Sequence, residues 1–170
     1  MNNTRNQNYK IVSLNVRGIR DQAKRMSIFS YLKDQKASFH FLQETFSEIS
    51  DESIWKKDWG GNIIFSHGSC LSRGVCILIN PSLNQKLEHS FTDNSGRIVL
   101  ITLNFNCFKL SLCNIYAPNN QNEQLLFIQE LNNCFIDQSE VTRLIIGGDW
   151  NCTLTKEDKE RWISMETNEF

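Results

Sequence analysis

Apolar residues recur along this chain in two rhythms, short unbroken runs and longer stretches spaced at three and four, with polar clusters between them. Lys10 to Leu14 reads as a short strand ending at Asn15, and residues 21–35 read as a helix with Met26, Phe29 and Leu32 on its inner face. Phe39 to Gln43 makes a second strand that runs into Glu44. The polar stretch carrying Trp55 and Trp59 is helical in spacing, and strands follow at 62–65, 75–79 and 86–92, punctuated by Ser66-His67-Gly68-Ser69 and Asn80-Pro81-Ser82. Asp93-Asn94-Ser95-Gly96 reads as a hairpin turn into strand 97–105, and Asn106-Cys107 turns the chain into strand 108–116. Residues 122–135 place Leu125, Leu126, Ile128, Leu131 and Phe135 on one broad helical face, and 142–146 is the last strand. The charged segment 156–170 forms one short helix or frays.

Helices at both ends of a strand-rich middle predict an α/β or α+β sandwich with mixed strand pairing, because some neighbouring strands are joined by hairpins and others by helical crossovers. At 170 residues the chain makes one domain over 10–170, preceded by a polar tail over 1–9. Lys and Arg total 18 against 19 Asp and Glu, so no overall basic field advertises nucleic acid, and a nucleic-acid role has to rest on local sites. The polar amino terminus and the lack of a membrane-length apolar run predict an intracellular protein, neither secreted nor membrane-bound. Six cysteines without a C-x-x-C pair exclude the usual zinc spacings and read as reduced, buried small hydrophobes.

The polar residues that follow strands carry the chemistry. Asn15 follows the first strand, Gln43 and Glu44 the second, Tyr116 and Asn119 the late hairpin, and Asp149 and Asn151 the last strand. Gly147-Gly148-Asp149-Trp150-Asn151 alone is a weak signal, since such a sequence also makes ordinary turns. In an α/β sheet, however, ligand sites collect at strand carboxyl ends, so the four ends are expected to share one cleft. Two carboxylates with amides and a phenol suit a hard cation such as Mg²⁺, with Mn²⁺ as a substitute, together with a phosphate. His40 reads as a core histidine and His67 as a loop residue; neither is given a chemical role.

Leu14-Asn15-Val16-Arg17-Gly18, Leu42-Gln43-Glu44-Thr45, Asn114-Ile115-Tyr116-Ala117-Pro118-Asn119 and Gly147-Gly148-Asp149-Trp150-Asn151 resemble, in order and spacing, the motifs of the endonuclease/exonuclease/phosphatase superfamily. Within it the chain is most similar to the apurinic/apyrimidinic-type endonuclease domains of non-LTR, LINE-like retrotransposons, including the Ser66-His67-Gly68 and Ser72-Arg73-Gly74 segments. The resemblance implies a four-layer, DNase I-like α/β sandwich and a Mg²⁺-dependent phosphodiesterase that nicks DNA, in the nucleus where the target is chromosomal, with no stable protein partner. It implies Glu44 as the metal-binding carboxylate with Asn15 beside it, and Asp149 as the acid that orients or deprotonates the attacking water, with Asn151 as its partner. Tyr116 and Asn119 are implied as phosphate and leaving-group contacts, and Arg97 as a phosphate-backbone contact. Arg17 stands where some relatives carry a second metal-binding acid, so a one-metal site centred on Glu44 is expected.

The chain holds no Ser-Asp-His segment, the family's late histidine motif. The expectation is therefore a domain lacking its carboxyl-terminal part, a truncated retroelement product or partial gene model with weakened or absent turnover. A noncatalytic remnant that still binds metal or nucleic acid is the alternative, and a lipid or nucleotide phosphatase of the same superfamily ranks behind both.

Overall fold

The computed structural model describes residues 8–105, 107–136 and 143–152. Its elements are β1 (Ile11–Asn15), α1 (Gln22–Asp34), β2 (Phe39–Gln43), α2 (Glu52–Trp59), β3 (Ile63–Ser66), β4 (Val75–Ile79), β5 (Lys86–Thr92), β6 (Ile98–Asn104), β7 (Lys109–Tyr116), α3 (Gln121–Ile136) and β8 (Leu144–Asp149). The strands form two four-stranded sheets, ordered β1-β2-β4-β3 and β5-β6-β7-β8. Each sheet contains one parallel pair. Parallel neighbours need a crossover, and α1 supplies it between β1 and β2 while α3 supplies it between β7 and β8. The registers pair Asn15 with Gln43 and Tyr116 with Asp149, so both parallel pairs present their carboxyl ends with matched polar residues.

Period-two alternation sorts the strand residues into layers. Phe39, Phe41, Val75 and Ile77 of the first sheet meet Val99, Ile101, Leu103, Leu110 and Leu112 of the second in an apolar seam. The opposite face of the first sheet packs Leu42, Cys76 and Leu78 under Phe29 and Leu32 of α1 and Trp55 and Trp59 of α2. The opposite face of the second sheet packs Ile98, Leu100, Cys113 and Ile115 under Phe127 and Leu131 of α3. The result is the expected four-layer sandwich, helices outside two facing sheets. Both faces of the central strands are covered, which is why Val75-Cys76-Ile77-Leu78-Ile79 reads as a continuous apolar run with no alternation.

Several local expectations are corrected. In α1 the inner face carries Phe29 and Leu32 but not Met26, which is 44% exposed; Arg25 is buried instead. Arg25 can occupy that position because its guanidinium donates to Asp58 at 3.0 Å and to the carbonyls of Ile19 and Arg20, and lies over the Trp55 ring. In α3 Leu125 and Leu126 point to solvent at 65% and 66% exposure, and the stripe facing the sheet is Phe127, Leu131, Cys134 and Phe135. That narrower stripe follows from packing on only one sheet. β8 continues through both glycines to Asp149, so Gly147-Gly148 is strand and not turn. Its Leu144, Ile145 and Ile146 are exposed, at the edge of the sheet. Of the cysteines, Cys76 and Cys113 are buried strand residues as expected, whereas Cys70, Cys107 and Cys152 lie exposed outside the strands; all six are free thiols. Thr142 and the segments 1–7 and 156–170 lie outside the described residues.

One amide interrupts the apolar seam. Asn114 of β7 is fully buried, donates to the carbonyls of Leu42 and Cys76 across the seam at 3.0 and 2.8 Å, and accepts from Gln43 Nε2 at 2.7 Å. Asn114→Leu removes all three bonds and leaves the Gln43 amide only its bond to the Ser13 hydroxyl. We expect it to lower unfolding free energy by about 3 kcal/mol, read as a drop in urea midpoint. An unchanged midpoint would mean the tie adds nothing.

His40 of β2 supplies a pH test. Its Nε2 bonds to the Leu32 carbonyl at 3.0 Å, and burial holds its pKa below the ordinary histidine value. The unfolded chain therefore takes up this proton at a higher pH than the folded chain does. The histidine's contribution is intact above the ordinary value and is lost as pH falls from there through the depressed folded value. His40→Asn is expected to flatten that part of the stability profile measured by urea unfolding at stepped pH.

Candidate active site at the strand carboxyl ends

The alternation that builds the seam also aims its polar ends. Asn15, Gln43, Asn114, Tyr116 and Asp149 share the parity of the seam-facing residues of their strands, so the apolar layer finishes at the carboxyl ends in amides, a phenol and a carboxylate. Glu44 follows directly on β2. Asn15 Nδ2 donates to Glu44 Oε1 at 2.9 Å and to Asp149 Oδ2 at 3.0 Å, and the Tyr116 hydroxyl donates to the same Glu44 oxygen at 2.9 Å. Asn15 and Asp149, 134 positions apart in sequence, are thus directly hydrogen-bonded. Asn151 closes the arrangement, its backbone N–H donating to Asp149 Oδ1 at 3.0 Å and its side chain to the Ala117 carbonyl at 2.7 Å.

The backbone around Glu44 is unusual. Glu44 and Phe46 have φ of +53° and +57°, Arg17 +47°, Arg73 +64° and Asn151 +47°, all in the region L side chains avoid. Such conformations cost of order 1 kcal/mol each and persist only where the surroundings over-determine them. Here they do. Gly18 N–H and Ile19 N–H donate to the Glu44 and Thr45 carbonyls on one side, while Thr45 and Phe46 N–H donate to the Gly74 and Arg73 carbonyls on the other. Two glycines are required by close approach. A Cβ on Gly74 would lie 2.4 Å from Thr45 Oγ1, and one on Gly148 would lie 2.1 Å from the Ile115 carbonyl oxygen. Gly148 therefore lets β8 press against β7 and bring Asp149 within reach of Asn15.

Arg97 opens β6 from a turn built on Asp93, whose buried carboxylate accepts the Arg97 and Ile98 backbone N–H groups. The guanidinium donates to the Tyr116 carbonyl at 3.0 Å, lies over the Tyr116 ring and approaches Glu123 at 3.9 Å. Burial, and then the nearby Arg73 charge, hold its pKa below the usual arginine value. Glu44, Tyr116, Arg97 and Asn119 line one cleft of about 430 Å³ with Phe46, Arg73 and the start of α3. The seven residues singled out in sequence are therefore in one neighbourhood: Asn15, Glu44, Tyr116, Asp149 and Asn151 through the hydrogen-bonded cluster, Arg97 and Asn119 on the cleft wall.

The donor set fits a cation held partly by protein. Among the described residues no three His, Cys, Asp or Glu side chains form a metal cage. Two carboxylates bridged by one amide, one of them lining the cleft, suit Mg²⁺ with retained waters and a phosphate. In this arrangement the Asn15 oxygen accepts the Arg17 N–H at 3.2 Å and its NH₂ faces both acids, which makes Asn15 a carboxylate-orienting donor. A second hydrogen-bonded chain, Ser47 to His67 Nδ1 at 3.1 Å and His67 Nε2 to Glu52 at 3.1 Å, has the outline of a hydrolase triad. Ser47 is completely buried, so it cannot reach a substrate, and the chain instead braces the Glu44 loop. Sequence reasoning missed Asn114, whose signal was a lone amide in an apolar strand at the parity of Tyr116.

No protein-family model matches the chain. Over 151 residues it is 31% identical to the 149 kDa protein of transposon TX1 from Xenopus laevis; the match spans 88% of this chain and 11% of that protein's length. Among solved structures it superimposes on an AP endonuclease from Archaeoglobus fulgidus with a TM-score of 0.62, 21% identity, and 83% of this chain and 56% of that one covered. It superimposes on D. rerio TDP2 complexed with single strand DNA product with a TM-score of 0.61, 22% identity, and 90% and 64% covered. At these identities the two structures establish the fold.

The Tyr116 phenol has a raised pKa, through burial first and then its bond to Glu44. An alkaline absorbance titration is expected to show a late-titrating phenol that disappears in Tyr116→Phe and moves back toward the ordinary value in Glu44→Gln. An unshifted phenol in Glu44→Gln would show that the carboxylate does not hold it.

Proposed function

We propose that this chain, whose fold is DNase I-like, is an endonuclease/exonuclease/phosphatase-type domain and a divalent-cation-dependent phosphodiesterase that nicks DNA, the endonuclease of a retroelement. The observation that carries the reading is the single amide of Asn15 shared between Glu44 and Asp149, beside a cleft lined by Glu44, Arg73, Arg97 and Tyr116. The likeness to a transposon protein supports the retroelement origin, and the DNA product held by the TDP2 neighbour supports DNA as substrate. Acting on chromosomal DNA implies a nuclear site of action. No helix among the described residues is long and apolar enough to cross a membrane.

Glu44, with Asn15 beside it, would hold Mg²⁺ or Mn²⁺, which supplies Lewis-acid neutralisation of phosphate charge. Asp149 orients the attacking water and takes its proton as the water oxygen bonds to phosphorus and the bond to the leaving sugar oxygen breaks. Asn151 fixes the Asp149 carboxylate through its backbone N–H, so the base is held in line without a side-chain search. Tyr116 holds Glu44 through its hydroxyl and, with Asn119, meets the phosphate. Arg97 offsets the charge that gathers on the phosphoryl oxygens.

Among the described residues no histidine hydrogen-bonds to Glu44 or Asp149, which favours slow turnover and keeps a binding, non-cutting chain as the second reading. The test is nicking of supercoiled plasmid by the 170-residue chain with Mg²⁺. Glu44→Ala and Asp149→Ala are each expected to cut the rate by about 10²- to 10⁴-fold. Equal nicking by the variants would refute the site, and a wild type that binds DNA without cutting it would establish the second reading. Calorimetric titration of Mn²⁺, expected to be lost in Glu44→Gln, checks the cation site independently of turnover.

A further inference from the structure

The cleft contains a cation that the reaction at Glu44 does not use. Arg73 ends the loop between β3 and β4 and is the only Lys, Arg, Asp or Glu between Ser66 and Gly74. Its side chain is exposed, lines the same cleft as Glu44, Tyr116 and Arg97, and forms no ion pair among the described residues. Its backbone is fixed with unusual firmness. The φ of +64° is one an arginine adopts only under constraint; its carbonyl accepts the Phe46 N–H at 2.9 Å, and the next residue bonds both Thr45 and Gly96. A strained, clamped backbone that presents a charged side chain beside a reactive cluster is a positioning device.

What the charge is for follows from its neighbour. Arg97 stands close enough for the two guanidinium charges to repel, and its own partners are the Tyr116 carbonyl and, weakly, Glu123. Glu44 and Glu123 line the same cleft, but Glu123 approaches Arg97 and Glu44 belongs to the hydrogen-bonded cluster, so Arg73, with no ion pair among the described residues, is the cation left for an anionic ligand. Arg97, above Tyr116, stands with the scissile group, which leaves Arg73 over a different anionic group. The cleft volume of about 430 Å³ belongs to the class that encloses ligands much larger than one phosphate. Leu71, 82% exposed at the tip of the same loop and also lining the cleft, adds an apolar surface suited to a sugar or base face.

We propose that Arg73 binds the phosphate next to the scissile one, so that the site takes a polynucleotide spanning at least two phosphates and not a phosphate monoester. This rests on the phosphodiesterase reading of the Glu44 cluster, but its test needs no cleavage. Arg73→Gly removes the charge while suiting the left-handed backbone, so the variant is expected to fold; Arg73→Lys keeps the charge. Binding of a fluorescent 20-base-pair duplex is followed by anisotropy in EDTA over a salt series. Arg73→Gly should bind roughly five- to tenfold more weakly near 0.1 M salt, with a log-log salt slope shallower by about one, alike for unrelated sequences, while Arg73→Lys retains the slope. Inorganic phosphate, titrated as a competitor of wild type and Arg73→Gly, should show the same affinity for both.

An unchanged slope in Arg73→Gly would overturn the proposal and leave the Glu44 reading intact. Equal losses for duplex and inorganic phosphate would also overturn it, by returning Arg73 to the scissile group. A wild type that ignores duplex at low salt but binds vesicles containing phosphorylated headgroups would overturn both readings.

Discussion

The amide of Asn114 is the contact on which the rest of the arrangement depends. Two sheets packed through Phe, Ile, Leu and Val side chains can slide, because apolar contact is non-directional. Asn114 removes that freedom. Its bonds to the Leu42 and Cys76 carbonyls and to Gln43 fix β7 against β2 and β4 at one register, two residues before Tyr116 and one before Glu44. A slip of one residue would move these partners out of reach and leave several buried polar groups unpaired. The tie therefore sets where Tyr116 and Glu44 lie relative to one another, and a 2.9 Å bond between residues of different sheets becomes geometrically available.

The same logic explains the strain around Glu44. A residue following a strand normally drifts into a turn and away from the sheet. Here the loop is held from two sides by backbone bonds to residues 18–19 and 73–74, and the positive φ at Glu44 returns its carboxylate over the ends of β1 and β7. The cost is local and is met by the packed sheets behind it. In exchange, the two carboxylates are oriented before any ligand arrives. The neutral Asn15 amide donates to both acids, so their orientation relative to one another is set within the chain.

Strand-end chemistry was legible in the sequence because a strand ends abruptly and its parity is fixed. Asn15, Glu44, Tyr116 and Asp149 could be named from the residues after apolar runs, and mixed strand pairing followed from which runs were joined by helices, whereas the four-layer order came from the family resemblance. The helix faces were not legible to the same degree. Met26 and Leu125 match the apolar spacing of their helices yet face solvent, while Arg25, with its charge offset by Asp58 and two carbonyls, faces inward. Spacing alone does not reveal whether an ion pair will make a charged residue the better occupant of a buried position. Gly147-Gly148 misled in another way. Glycine pairs punctuate turns far more often than they permit a strand to press against its neighbour, and only the 2.1 Å approach to Ile115 distinguishes the two uses.

Substrate class does not follow from the fold, since one sandwich of this kind can host several phosphoryl chemistries. It has to be argued from charge in the cleft. The chain as a whole is close to neutral, with a formal charge of −1, so long-range attraction to a polyanion is weak. Affinity then depends on the few cations that face the ligand, and two arginines on one cleft, one half-buried over a tyrosine ring and one exposed on a strained loop, have different capacities. The half-buried guanidinium is anchored by its bond to the Tyr116 carbonyl and its place over the Tyr116 ring, and acts as fixed field. The exposed one has donors to spare, so it is the group whose energy changes most when a second phosphate is present, and recognition of chain length belongs to it.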